Sequence, residues 1–284
     1  MSLTSFIQRP DVKALLRQHV QMSHVKFPER PICEPLTTHY GLVGTAFDYL
    51  CRFCLQRHYP HAIARRWVAE ETLCLVMAPS VFDEEAEAIF DLAQQIVSVA
   101  KEQQTRYLKE GLLTEALLSS CLLLAQLDPL YRSGMLYEPF GKIDPHDLQD
   151  MQQLGRALLH TGMAQLISQE VCLLNPVFGA SSLVGGADTD LILDHCLIDI
   201  KTTKSLKFSR EYLDQLIGYY LLYRIGGIPS LQSEYAITHL GIYYSRHAYL
   251  STFPVESVML TDSLKILLPA FTKLAASLRS SREL

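Results

Sequence analysis

Residues 189 to 201 read TDLILDHCLIDIK, and the two-residue break Asp194-His195 inside them constrains the fold more than any other feature of the chain. Two short apolar runs joined by two residues read as a tight β-hairpin, and so short a loop leaves a single register. Leu193 then pairs with Cys196, Asp190 with Asp199, and Asp188 with Lys201. Side chains on a strand alternate with a period of two, so Asp188, Asp190, Asp199 and Lys201 share one face. Leu191, Leu193, Ile198 and Ile200 occupy the other. The pattern predicts one charged face and one core face.

Directly opposed residues have Cβ atoms about 5 Å apart, and like charges at that spacing repel. A hard divalent cation offsets the repulsion, because Mg²⁺ binds through one or two carboxylates and completes its shell with water and phosphate oxygens. Lys201, beside such an ion, would hold or help deprotonate a water for attack on phosphorus. The plainer reading is a solvated sheet face on which Asp188 pairs with Lys201 and the other acids point into water. Under the catalytic reading, Asp199 and Lys201 are removable with loss of cleavage but without loss of the fold.

Around the hairpin the pattern divides the chain in two. The first ~165 residues carry apolar residues at three- and four-residue steps, as in DEEAEAIFDLAQQIVSVAKEQQ and DLQDMQQLGRALLHTGMAQLI, and read as helix. From about Glu170 the short segments EVCLLNPVF, TDLIL, CLIDIK, YAITHLGIYYS and AYLSTFPV read as strands. One helix interrupts them, from about Ser209 as N-cap to Arg224, stopped by Gly226, Gly227 and Pro229. A last helix covers about 262 to 280. A single α/β domain over residues 1–284 with a helical elaboration is the simplest architecture.

The bulk numbers narrow the function classes. With 30 acidic and 25 basic residues the net charge is -5, so no overall positive field draws in nucleic acid and any polyanion needs a local basic patch. The start of the chain has no charged-then-apolar leader pattern, and the greasiest stretch, ending at Leu127, is far shorter than the ~20 residues of a membrane span. Seven cysteines without a repeating spacing fit a reducing compartment. A soluble, cytoplasmic protein is expected, without a membrane partner.

The arrangement DLIL, turn, LIDIK resembles the core motif of the PD-(D/E)XK nuclease superfamily, in which an Asp and an Asp/Glu-x-Lys on adjacent strands bind the catalytic metal. Four further features are similar to its RecB-like branch: Gln215 and Tyr219 in DQLIGYY match the QxxxY motif, GTAFDYLCRF resembles the GTxxH helix, GGAD precedes the first acid, and the element order is α-β-β-β-α-β. The resemblance implies a restriction-endonuclease-like fold with a mixed central sheet, core motifs at about 44–58 and 170–244, and a large helical insertion over about 60–168. It implies Mg²⁺ or Mn²⁺ held by Asp190, Asp199 and Ile200, with Asp48 standing where the family usually carries a metal-binding His. Catalysis would fall to Asp190, Asp199 and Lys201, supported by Gln215 and Tyr219. The expected activity is phosphodiester hydrolysis of nucleic acid, DNA foremost, in DNA repair or phage defence, with a protein partner on the helical insertion. The rival class is a catalytically silent nuclease-fold subunit that binds nucleic acid or scaffolds a larger complex.

KTTKSLKFSR places Lys204, Lys207 and Arg210 just after the acidic pair, where cations would contact the nucleic-acid backbone without reading bases. Arg65 and Arg66 are a weaker version of the same idea. Cys51, Cys54, His58 and His61 mimic a zinc set, but the first and last are ~15 Å apart along an unbroken helix. Iron–sulfur members of the RecB-like branch use cysteines near the C-terminus, and none follows Cys196. Neither zinc nor an iron–sulfur cluster is expected.

Overall fold

The structure is a computed structural model, and it describes residues 2–22, 25, 27–29, 32–76, 84–232 and 234–280. The front half is helical: α1 (Leu3–Ile7), α2 (Pro10–His19), α3 (Tyr40–His58), then, after a two-residue strand β1 (Ile63–Ala64), α4 (Val68–Val76), α5 (Glu84–Glu110), α6 (Glu115–Ser133) and α7 (Pro145–Ala157). The second half supplies β2 (Cys172–Leu174), β3 (Leu191–Leu193), β4 (Cys196–Lys201), α8 (Arg210–Gly226), β5 (His239–Tyr244), β6 (Tyr249–Pro254) and α9 (Thr261–Ser280). No described helix is long and apolar enough to cross a membrane.

The strands form one mixed sheet in the order β1-β2-β3-β4-β5-β6. The β2–β3, β3–β4 and β5–β6 pairs are antiparallel, whereas β1–β2 and β4–β5 are parallel. A parallel pair needs a long crossover, and α8 supplies it between β4 and β5. Ser209 starts that helix by accepting the Tyr212 N–H, and Gly227, at φ 64°, ends it. All five expected strands are present. The sixth, β1, has exposed residues and only two of them, so no alternation marks it in the sequence.

The hairpin register is the expected one: Leu193 pairs with Cys196, Ile192 with Leu197 and Leu191 with Ile198. Asp194 takes the positive φ that a two-residue turn demands, at 45°. Its carboxylate accepts the N–H groups of Gln169, Glu170 and Val171, which ties the entry of β2 to the turn.

The expectation of one charged and one core face needs correction, because both faces of the sheet are buried. Leu191, Leu193, Ile198 and Tyr243 pack under α3, α5, α6 and α7. Ile192, Leu197, Leu240 and Ile242 pack under α1, α2, α8 and α9. Asp199, two residues from Leu197, shares the face of the second set and is only 3% exposed. Helix α8, as the β4–β5 crossover, covers the face that carries the acids, so these charges are embedded and not solvated.

Candidate functional site

The site forms where β4 outruns β3. The ladder ends at the Leu191–Ile198 pair, so Asp190 continues the register toward Asp199, and the Ile200 N–H donates to Asp190 Oδ2 at 2.5 Å. Two residues along β4 on the same face, Lys201 Nζ lies 2.7 Å from Asp199 Oδ2. Lys201 also donates to Gln215 Oε1 at 2.9 Å, and Gln215 Nε2 donates to the Tyr219 hydroxyl at 2.9 Å. Strand period two and helix period four thus line up Asp199, Lys201, Gln215 and Tyr219 into one hydrogen-bonded chain. Two of its members also meet rings: Lys201 sits 5.1 Å from the centre of Tyr212, and Tyr219 stacks on Phe178.

Asp188 departs from the expected pairing with Lys201. Once past Asp190 the chain leaves β4 and turns toward the segment after β2: the Asn175 N–H bonds to the Asp190 carbonyl, and Asp188 bridges Val177. Its carboxylate instead lies 3.6 Å from Arg132 on α6.

Helix α3 brings the third acid. Asp48 Oδ2 accepts from Arg52 at 2.6 Å, the ordinary i,i+4 pair of the helix, and Arg52 lies over the Tyr49 ring. Oδ1 of Asp48 is buried and has no hydrogen-bond partner among the described residues. Beside it, Asp128 on α6 accepts from the Tyr49 hydroxyl at 2.9 Å and lies 3.9 Å from Arg132. Asp128 and Arg132 were not singled out in the sequence. Their i,i+4 spacing within DPLYR was the only available signal, and it is shared by many surface pairs.

The electrostatics follow from burial of like charges. Burial, then the charges of Asp199 and Asp48, push the Asp190 carboxyl well above its ordinary range. Asp199 is raised by burial, with Lys201 opposing. Asp48 is raised by burial, opposed by Arg52 and reinforced by Asp188. Burial pushes Asp128 up to about 6. For Lys201 burial acts downward, but the Asp199 and Asp190 charges outweigh it, so the ammonium form is held firmly. Burial and the same two acids keep the Tyr219 hydroxyl protonated.

The expected phosphate contacts are dispersed. Lys204 pairs with exposed Glu34 at 2.8 Å, and Lys207 is exposed on the loop between β4 and α8. Arg210 is not free for a phosphate: its Nε binds Asp214 at 2.8 Å and its Nη1 the Val20 carbonyl, which anchors α8 to the end of α2. Arg65 pairs with Glu71. Of the zinc-like set, Cys54 accepts from the Tyr107 hydroxyl on α5, while His61 lies beyond the end of α3 and bonds Ser168.

Among the described residues, no group of three or more His, Cys, Asp or Glu side chains is placed to hold a metal ion as it stands. The chemistry of the donors nevertheless suits a hard divalent cation. Five carboxyl groups, of Asp48, Asp128, Asp188, Asp190 and Asp199, face three cations, Arg52, Arg132 and Lys201, a formal excess of two acids that the raised Asp190 carboxyl relieves by holding its proton. The orphaned Oδ1 of Asp48 and the unusually basic carboxyl of Asp190 are the two groups that such an ion would relieve. No family model, curated protein or solved structure matches the chain.

Proposed function

We propose that the chain is a cytoplasmic, divalent-metal-dependent nuclease of the PD-(D/E)XK type, RecB-like branch, hydrolysing phosphodiester bonds of nucleic acid, DNA foremost. The observation that carries the reading is the hydrogen-bonded chain Asp199–Lys201–Gln215–Tyr219 next to the opposed Asp190. An Asp-x-Lys pair on a strand joined to a Gln-x-x-x-Tyr pair on the following helix is the constellation that the QxxxY motif leads one to expect. The helix–three strands–helix–strand order of α3, β2, β3, β4, α8 and β5 supports a restriction-endonuclease-like core, with α4 to α7 as the insertion.

In this reading Asp190, Asp199 and the backbone of Ile200 would hold Mg²⁺ or Mn²⁺, with Asp48, whose buried Oδ1 lacks a partner among the described residues, as a further carboxylate for it. The ion supplies charge neutralisation at the phosphate and a lowered water pKa. The chain's own groups do the rest. Gln215 and Asp199 hold the Lys201 ammonium in one orientation, so it can donate to the attacking water or the phosphate oxygen and set the line of attack. Tyr219, kept protonated, holds Gln215 in turn. Burial under α8 excludes bulk water and strengthens each of these contacts.

The second reading is a silent nuclease-fold subunit, for instance in a repair or phage-defence machine, that binds nucleic acid or scaffolds a complex through the helical insertion. What favours it is that Lys201, Arg52 and Arg132 already neutralise three of the acids. Incubation of purified protein with labelled single- and double-stranded DNA and RNA in Mg²⁺, Mn²⁺ or EDTA separates the two. Cleavage that needs the metal and disappears in Asp190→Asn supports the nuclease. Binding without cleavage supports the silent subunit, and neither binding nor cleavage removes the nuclease and leaves of the second reading only a scaffold.

A further inference from the structure

The three cations around the acids are held very differently. Arg52 is 7% exposed and lies 2.6 Å from Asp48, and Lys201 lies 2.7 Å from Asp199 and is held by Gln215 as well. Arg132 is 54% exposed, and its contacts to Asp188 and Asp128, at 3.6 and 3.9 Å, are both too long for hydrogen bonds. It is therefore attracted by charge alone and by two partners at once, from the last turn of α6, two residues before the Gly134 cap at φ 71°. Its position is central to the electrostatics: its charge lowers the carboxyl of Asp48 and is itself stabilised by Asp188, Asp128 and Asp48. Tyr131, the residue before Arg132, is 39% exposed, with its hydroxyl hydrogen-bonded to Glu71, the partner of Arg65.

We propose that Arg132 is a tethered counter-ion of the acid cluster, displaced when a divalent cation enters and thereby released to bind a phosphate of the nucleic acid. This regulation of the site rests on the metal-dependent nuclease reading. A divalent ion held by Asp190, Asp199 and Asp48 would set its charge against that of the guanidinium, whose charge also acts on Asp48, so the ion's arrival weakens the hold of Asp188 and Asp128 on Arg132. A half-exposed arginine beside the acids then meets the substrate backbone, with the exposed part of the Tyr131 ring as a surface on which a base can stack. Cation entry and substrate binding become coupled, each favouring the other, as linkage requires.

The test uses the full chain and two readouts. Titration with Mn²⁺ alone, followed calorimetrically, should show Arg132→Gln binding the ion about two- to fivefold tighter than wild type, the scale of one exposed charge pair, and Arg132→Lys close to wild type. Binding of a labelled single-stranded phosphorothioate oligonucleotide, whose backbone resists turnover, should weaken in Arg132→Gln when Mn²⁺ is present and change little in EDTA. The exposed Arg106, paired with Glu110 on α5, serves as the control position: Arg106→Gln should leave both readouts unchanged. If wild type binds Mn²⁺ but Arg132→Gln binds it equally or less well, the counter-ion role is overturned and the nuclease reading stands. An oligonucleotide defect of equal size with and without Mn²⁺ overturns the release step. If wild type binds neither Mn²⁺ nor Mg²⁺, the metal-dependent reading fails and this inference fails with it.

Discussion

Asp199 and Lys201, two positions apart on β4, are closed into a 2.7 Å ion pair whose carboxylate is almost wholly removed from solvent. Breaking a buried pair by deleting one partner leaves the other charge without compensation, which costs about 3 kcal/mol or more. The expectation from sequence, that either residue can be truncated without structural cost, assumed a solvated face and is therefore revised. Lys201→Ala is expected to lose cleavage and also to destabilise the metal-free protein by about that amount in urea unfolding. An unchanged unfolding midpoint in EDTA would show that Asp199 is stabilised by something other than Lys201.

Asp190 is the cleaner probe of a cation site, because its carboxyl is raised by burial and by Asp199 and Asp48 and has no cation of its own among the described contacts. Asp190→Asn should be at least as stable as wild type in EDTA. It should also lose the stabilisation that Mn²⁺ gives wild type, about 2.7 kcal/mol at a hundredfold excess over Kd. Thermal unfolding with and without Mn²⁺ measures both. A wild type whose Tm ignores the metal would remove the physical basis of the site.

Asp128 gives a pH dependence. Its carboxyl is pushed up to about 6 by burial, from an ordinary value of 3.8. Between those values the native state holds more protons than the unfolded chain, so its contribution to stability is full at low pH and lost as pH rises through about 6. Asn at this position keeps an acceptor for the Tyr49 hydroxyl and does not titrate. Wild type should therefore gain on Asp128→Asn by about 2 to 3 kcal/mol as pH falls from 7 to 4. Parallel stability curves across that range would mean that Asp128 is not held neutral by its surroundings.

The hairpin, its register and the α8 crossover were legible because each rests on local rules: a two-residue turn, strand alternation, an N-cap serine and a glycine stop. Gln215 and Tyr219 were legible for the same reason, since an i,i+4 pair on one helix faces whatever the strand before it presents. The burial of Asp199 was not, because nothing in CLIDIK says that α8 folds back over the charged face. Asp128 and Arg132, the partner of Asp188, were hidden by distance, as they reach the hairpin only through the packing of α6 against α3. Arg210 shows the opposite failure. Its place beside the acids suggested a phosphate contact, but the chain end of α2, nearly two hundred residues earlier, supplies a carbonyl that holds it.

The seating of α3, and with it Asp48, depends on a contact between Gly162 and Tyr243. Gly162 closes a wide π turn after α7, Leu158–Gly162, and a Cβ built there would overlap the Tyr243 hydroxyl oxygen and lie 3.1 Å from Cζ. Tyr243 has little room to yield, since its backbone pairs with Ile200 in the β4–β5 ladder and its ring stacks on Phe47, the residue before Asp48. Gly162→Ala is therefore expected to cost about 1 to 3 kcal/mol by overpacking. The hydroxyl is buried and has no hydrogen-bond partner among the described residues, so Tyr243→Phe removes an unsatisfied polar group and should be neutral or mildly stabilising. It also removes the oxygen that the alanine meets. The double variant should then recover at least about 1 kcal/mol relative to the sum of the single changes, which urea unfolding of all four proteins measures. Strict additivity would show that the glycine is required by the backbone of the π turn and not by the tyrosine that faces it.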